Sequence, residues 1–93
     1  MQISQIRRKT LPILRRYKVA RAGLFGSAAR GTMTRDSDID ILVQLPKSAS
    51  LLALVGLKLS IQKALGKAVD VVEYSTLRSP ARRKILKEEV ALL

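Results

Sequence analysis

Asp38 and Asp40 stand two residues apart at the head of an apolar run, Ile39-Asp40-Ile41-Leu42-Val43. In a strand, alternate side chains share a face, so the two carboxylates point the same way. Two carboxylates on one face repel unless a cation lies between them. Mg²⁺ meets that need, with Mn²⁺ as a second option, because it takes oxygen ligands and is usually held by one or two carboxylates plus substrate phosphates. Upstream, the apolar stretch Leu24-Phe25 runs into Gly26-Ser27. Backbone N–H groups there have little side-chain obstruction, and a short helix is expected just after them. Such a turn suits phosphate oxygens.

Each signal has a plainer reading. Gly-Ser by itself is an ordinary turn, and Asp38 and Asp40 alone could be a turn residue followed by an exposed strand residue. A calcium loop is the other candidate for Asp36-Ser37-Asp38-Ile39-Asp40. That loop needs Gly at its sixth position and Glu at its twelfth; Ile41 and Lys47 stand there instead. Asp70, flanked by Val69, Val71 and Val72, either ends a strand in water or is held in a site, because a buried unpaired carboxylate is costly. Glu73 lies at an odd offset from Asp70 and falls on the opposite face. Arg35 reads as surface charge.

The elements that would position these groups follow from periodicity. Ile3, Ile6, Thr10, Ile13, Leu14 and Tyr17 recur at helical spacing and predict an amphipathic helix over 4–17; Pro12 should kink it near Arg8 or mark a fresh start with Thr10 as cap. Strands are expected over 19–25, 39–45 and 68–74, with a turn and a short helical segment over 26–35. Ser50 and Gly66 bracket a helix over 51–65. Its apolar residues fall into two sectors, Leu51, Leu52, Val55 and Leu59 against Leu54, Leu57, Ile61 and Leu65. The helix is then either deeply buried or keeps one sector as a dimer or partner surface. Ser79-Pro80 starts a last helix, with Ile85, Leu86, Val90 and Leu93 as its inner stripe.

The chain has 93 residues, 47% of them hydrophobic, which fits one folded domain over 1–93. No apolar stretch is long enough to span a membrane and no signal peptide is visible, so a cytoplasmic protein is expected. There is no cysteine and no histidine, so metal binding must use oxygen ligands. Net charge is +11, with basic clusters between Arg7 and Arg21 and between Arg78 and Lys87. That balance favours polyanions, or is simply a solvated surface. Tyr17, Phe25 and Tyr74 are the sole aromatics, too few for a base-stacking platform.

The two halves together, Leu24-Phe25-Gly26-Ser27-Ala28-Ala29-Arg30-Gly31 and Ser37-Asp38-Ile39-Asp40, resemble the signature of the DNA polymerase β-like nucleotidyltransferase superfamily. The text is similar to its minimal branch, the MNT domains that occur as small proteins paired with HEPN-domain partners. The resemblance implies an α/β (α+β) fold: a small mixed sheet with carboxylates on one face and helices packed on the other. It implies Mg²⁺ on Asp38 and Asp40, with Asp70 as third carboxylate, metal ligand or general base. Gly26, Ser27 and Arg30 would then bind the triphosphate of ATP. It further implies an antitoxin that transfers AMP to a hydroxyl, foremost a tyrosine, of a HEPN-domain toxin. The alternatives are a non-catalytic partner-binding module, a homodimer built on the 51–65 helix, and a transferase acting on nucleic acid.

Overall fold

The computed structural model describes all of residues 1–93. Its elements run α1 (Ile3–Arg16), β1 (Arg21–Phe25), α2 (Gly26–Arg30), β2 (Ile39–Gln44), α3 (Leu51–Leu65), β3 (Val69–Glu73), a 3₁₀ turn (Tyr74–Thr76), α4 (Ala81–Glu88) and β4 (Val90–Ala91). They build one mixed four-stranded sheet in the order β3-β2-β1-β4. β1 pairs antiparallel with β2 and with β4, while β2 and β3 run parallel. α3 is the crossover that parallel neighbours require.

The sheet's two faces are sorted by strand periodicity. Ile39, Ile41 and Val43 alternate onto one face of β2 and are fully buried. They share a core with Ala22 and Leu24 of β1, with Ile6, Ile13 and Leu14 of α1, and with Leu57, Ile61 and Leu65 of α3. The two long helices therefore cover this face and pack on each other. Gly56 of α3 lies close to Tyr17, just past the end of α1: a Cβ there would come within 2.7 Å of the Tyr17 hydroxyl. Asp40 and Leu42 alternate onto the opposite face. No helix is long and apolar enough to cross a membrane.

Several local expectations meet the structure differently. Pro12 sits inside α1 without ending it; it and Arg8 both face solvent, so the carbonyl left without its N–H partner is open to water. The helix starts earlier than its periodicity implies because the Gln5 side chain accepts from the Gln2 N–H at 2.9 Å. Strand pairing begins at Arg21, two residues later than expected, because Lys18 turns through a left-handed φ of 57°.

The largest departure is at the C-terminal end. The last helix stops at Glu88, and Val90–Ala91 forms an edge strand. Val90 is thus a strand residue, not a member of a helical stripe, and Leu93 is exposed while Leu92 is buried. A two-residue strand is too short to show period-two alternation. Its place is fixed by partners far away in sequence: Arg7 donates to the Ala91 carbonyl at 2.8 Å, and the Leu92 N–H donates to the Ala22 carbonyl at 2.9 Å.

α3 resolves its two sectors into an inner and an outer one. Leu57, Ile61 and Leu65 are buried, whereas Leu51, Leu52, Val55 and Leu59 are 45–81% exposed. Leu57→Ala should therefore cost about 2–5 kcal/mol of stability through lost burial and a residual cavity, and Leu59→Ala no more than about 0.5 kcal/mol. Urea unfolding of the two variants checks this; equal losses would mean that the inner and outer sectors are misassigned.

Candidate active site

β1 delivers the chain to the site. Its last residue, Phe25, pairs across the sheet with Asp40, and the chain then turns at Gly26, whose φ is +66°. That sign alone favours glycine. The surroundings demand it as well, because a Cβ at Gly26 would run into the Asp40 carboxylate. The main chain thus lies directly against a carboxylate, and Gly26 and Ser27 open the single short turn of α2. Ala28, buried in the core, anchors that turn. No side chain caps α2 at Phe25, so its first N–H groups are left without a capping acceptor.

The acidic residues come from β2 and β3. Asp40 and Asp70 are directly paired across the parallel ladder, so their side chains share a face. Asp38 precedes β2 by one residue. Its loop is held by a Thr34–Ser37 turn, in which the Thr34 N–H donates to Ser37 Oγ at 2.9 Å and the Ser37 N–H donates to the Thr34 carbonyl at 3.2 Å. Lys67 clamps the same loop, its Nζ donating to the carbonyls of Thr34 and Arg35 at 3.2 Å each. Lys67 lies between the helix end at Gly66 and β3, so it ties the Asp38 loop to the strand that carries Asp70.

Asp40 is half-buried, while Asp38 and Asp70 are exposed. Asp70 stands exposed on the open face and so carries no burial cost. Burial, then the charges of Asp70 and Asp38, raise the Asp40 carboxyl above its ordinary value, and Arg30 pulls it back. Asp38, Asp70 and Arg30 are thus each near enough to act on Asp40. Arg30 also makes an ion pair with Glu88 of α4 at 3.4 Å. Glu73 pairs with Val43 across the ladder and lies on the other face.

The residues present fit a divalent cation. Every candidate donor is a carboxylate oxygen, and the like charges gathered around Asp40 are those a cation would relieve. No group of three acidic side chains lies close enough to hold a metal ion by itself; Mg²⁺ is usually held by one or two carboxylates together with substrate phosphates and water.

Sequence reasoning did not single out Lys67 or Glu88, and gave Ser37 no role of its own within the motif it opens. Lys67 acts through backbone carbonyls and Glu88 across 58 residues of chain; neither carries a local pattern. A separate cleft of about 470 Å³ opens at the far end of β2, among Arg21, Gln44, Lys47, Tyr74 and Arg82. It contains none of the aspartates. Beside it, Glu89 lies against Gly23, pairs with Arg21 at 2.9 Å and accepts from the Tyr74 hydroxyl. Burial first, and then the Glu89 carboxylate, keep that hydroxyl protonated.

Comparison with known proteins agrees with this arrangement. Residues 7–93 match the family model described as the nucleotidyltransferase domain. A Methanocaldococcus jannaschii chain, provisionally named a protein adenylyltransferase, is 45% identical over 93 residues, covering 100% of both chains. The protein adenylyltransferase MntA of Thermococcus cleftensis is 40% identical over 75 residues, 81% of this chain and 76% of that one. Among solved structures, a toxin–antitoxin crystal structure with AMP-PNP superposes with a TM-score of 0.80 at 28% identity, covering 94% of this chain and 72% of that one. With a Gly-Ser turn laid against an aspartate-bearing mixed sheet and a family match over nearly its whole length, this chain belongs to the nucleotidyltransferases, in their minimal, MntA-related branch.

Proposed function

We propose that this protein is a Mg²⁺-dependent adenylyltransferase, the antitoxin of a toxin–antitoxin pair, acting in the cytoplasm. In this reading it transfers AMP from ATP to a tyrosine hydroxyl of a HEPN-domain toxin. The observation that carries the reading is the pairing of Asp40 with Asp70 across the parallel ladder, with Asp38 one residue before β2 and the main chain of Gly26 laid against Asp40. The adenylyltransferase names of its relatives, and the toxin–antitoxin structure with AMP-PNP, support the donor and the kind of partner.

Asp38 and Asp40, with Asp70 beside them, would hold the Mg²⁺, which supplies charge neutralisation for the triphosphate. Gly26 and Ser27 bring backbone N–H groups and a hydroxyl toward the phosphates. The acceptor oxygen forms a bond to the α-phosphorus as the bond from that phosphorus to the pyrophosphate oxygen breaks. Asp70, exposed and directly across from Asp40, takes the proton from the attacking hydroxyl and passes it to water. Arg30 faces the charge developing on the departing pyrophosphate. The chain's contribution is mostly positioning and preorganised charge.

Incubating the chain with the HEPN-domain protein of its own genome, ATP and Mg²⁺, and then measuring intact mass, tests this. An AMP-sized addition to the partner is expected. It should vanish with EDTA and fall by about 10²-fold or more for Asp38→Asn or Asp70→Asn. An unmodified partner, with labelled nucleotide appearing on RNA instead, would assign the +11 charge to a nucleic-acid acceptor.

The pH dependence follows from Asp40. Its carboxyl titrates above the ordinary 3.8, so between those two values the folded chain holds a proton that the unfolded chain has lost. Metal-free stability should therefore fall as pH rises through this window, with slope set by the proton difference. Metal affinity should rise across the same window, since binding needs the ionised carboxylate. Asp40→Asn removes the repelled charge and should raise the metal-free melting temperature at neutral pH while abolishing transfer. A lower melting temperature for this variant would show that the carboxylate is stabilised by partners rather than repelled.

A further inference from the structure

The outer sector of α3 is the most conspicuous unpartnered surface of the molecule. Leu51, Leu52, Val55 and Leu59 are 76, 81, 45 and 56% exposed. They are four of the six exposed large hydrophobic residues in the chain, and all lie on one side of one helix. Single exposed leucines need no explanation, but a contiguous apolar stripe on a soluble surface marks an interaction site. The local fold does not need it, since the inner sector already fills the core.

The charges beside the stripe say what covers it. At about 100° per residue, Lys58 falls just beyond Leu51 on one side and Lys63 just beyond Leu52 on the other. Both are exposed, and neither forms an ion pair within the chain. The helix has no acidic residue at all. A second copy would bring lysines against lysines across the same stripe and add +11 to +11, which costs affinity through like-charge contact. A surface with an apolar centre and acidic rim would gain at both.

We infer that the outer face of α3 is the docking surface for the protein partner, received through an apolar helix face flanked by aspartates and glutamates, and that it lies on the side of the molecule away from the carboxylates. This rests on the proposed antitoxin reading and adds where the partner is held. α3 packs on the core face of the sheet, with Leu57, Ile61 and Leu65 against Ile39, Ile41 and Val43, while Asp40 and Asp70 are on the opposite face. Even the thinnest dimension of the Cα trace is 20 Å. The α3 stripe and the carboxylates thus lie on opposite faces of the sheet. Docking on the stripe acts by raising the partner's local concentration at the transferase.

The test uses the full chain and the HEPN-domain protein of its own genome. Light scattering of the chain alone should give a monomer, and the mixture should co-elute. The double variant Leu52→Glu/Leu59→Glu should keep the wild-type circular dichroism spectrum and Mg²⁺-ATP affinity. It should bind the partner about a hundredfold more weakly, as expected for losing two central anchors. Its KM for AMP transfer to the partner should rise while kcat is retained. Lys58→Glu/Lys63→Glu, which leaves the stripe intact, should weaken binding and flatten its salt dependence. Partner affinity within twofold of wild type for both double variants would overturn the inference, as would a chain that dimerises alone and is dissociated by the leucine substitutions. If the wild type modifies the partner without holding it, the docking face is wrong and the transferase reading stands. If it neither modifies nor holds the partner, both fall.

Discussion

Everything at the site depends on a repulsion that the sheet holds in place. Asp40 and Asp70 are paired residue to residue in a parallel ladder, with Asp38 a step away, and nothing in their own chemistry favours that approach. What enforces it is the other face of the same strand. Ile39, Ile41 and Val43 are fully buried, and because side chains alternate, sinking the three apolar residues lifts Asp40 out. A slip of one residue would bury the carboxylate and expose the isoleucines, so the register is strongly specified. The hydrophobic core thus sets the position of the charges. Lys67 finishes the task by tying the Asp38 loop to the start of β3 through two backbone carbonyls.

The surrounding charge is arranged to match. Seven acidic residues stand among eighteen basic ones; two of the seven, Asp40 and Asp70, pair on this face, and Asp38 acts on Asp40 from the loop before β2. A net positive field of this size favours anionic ligands, and under the proposed reading a divalent cation would offset the local negative charge of the aspartates. Arg30 is the nearby cation among the side chains acting on Asp40, and its pairing with Glu88 is the exposed kind that contributes at most about 1 kcal/mol. A triphosphate can displace such a contact readily.

Legibility in the sequence tracked the range of the cause. The 51–65 helix was readable to the residue because its limits are local: Ser50 caps it through the Ala53 N–H, and Gly66 closes it with a left-handed turn. Asp38, Asp40 and the Gly26 turn were readable because strand periodicity and glycine's freedom are properties of a few neighbouring residues. The facing of Asp70 on Asp40 needed the strand order, which spacing alone does not contain and the family resemblance supplied. β4 was not readable, since its two residues are strand only by virtue of β1 and of Arg7. The Glu89–Gly23–Arg21–Tyr74 cluster was hidden for the same reason. Its members are scattered along the chain, and Gly23 reads as an ordinary strand residue until the Glu89 carboxylate is seen lying over it.

The shallowness of the site bears on the choice of acceptor. Asp38 and Asp70 are exposed, and no cleft encloses the aspartates. An open carboxylate face leaves water in contact with any activated phosphate, and water competes with every other hydroxyl. Selective transfer then requires that the acceptor itself exclude the solvent on arrival. A small alcohol cannot do so. A flexible RNA end would need aromatic side chains to fix it, and the one aromatic at this end of the sheet, Phe25, is a half-buried strand residue across from Asp40. A protein surface can bring a hydroxyl and the wall around it in a single step. Under the proposed reading, the open face with the carboxylates and the exposed apolar stripe of α3 on the other side would serve one partner between them.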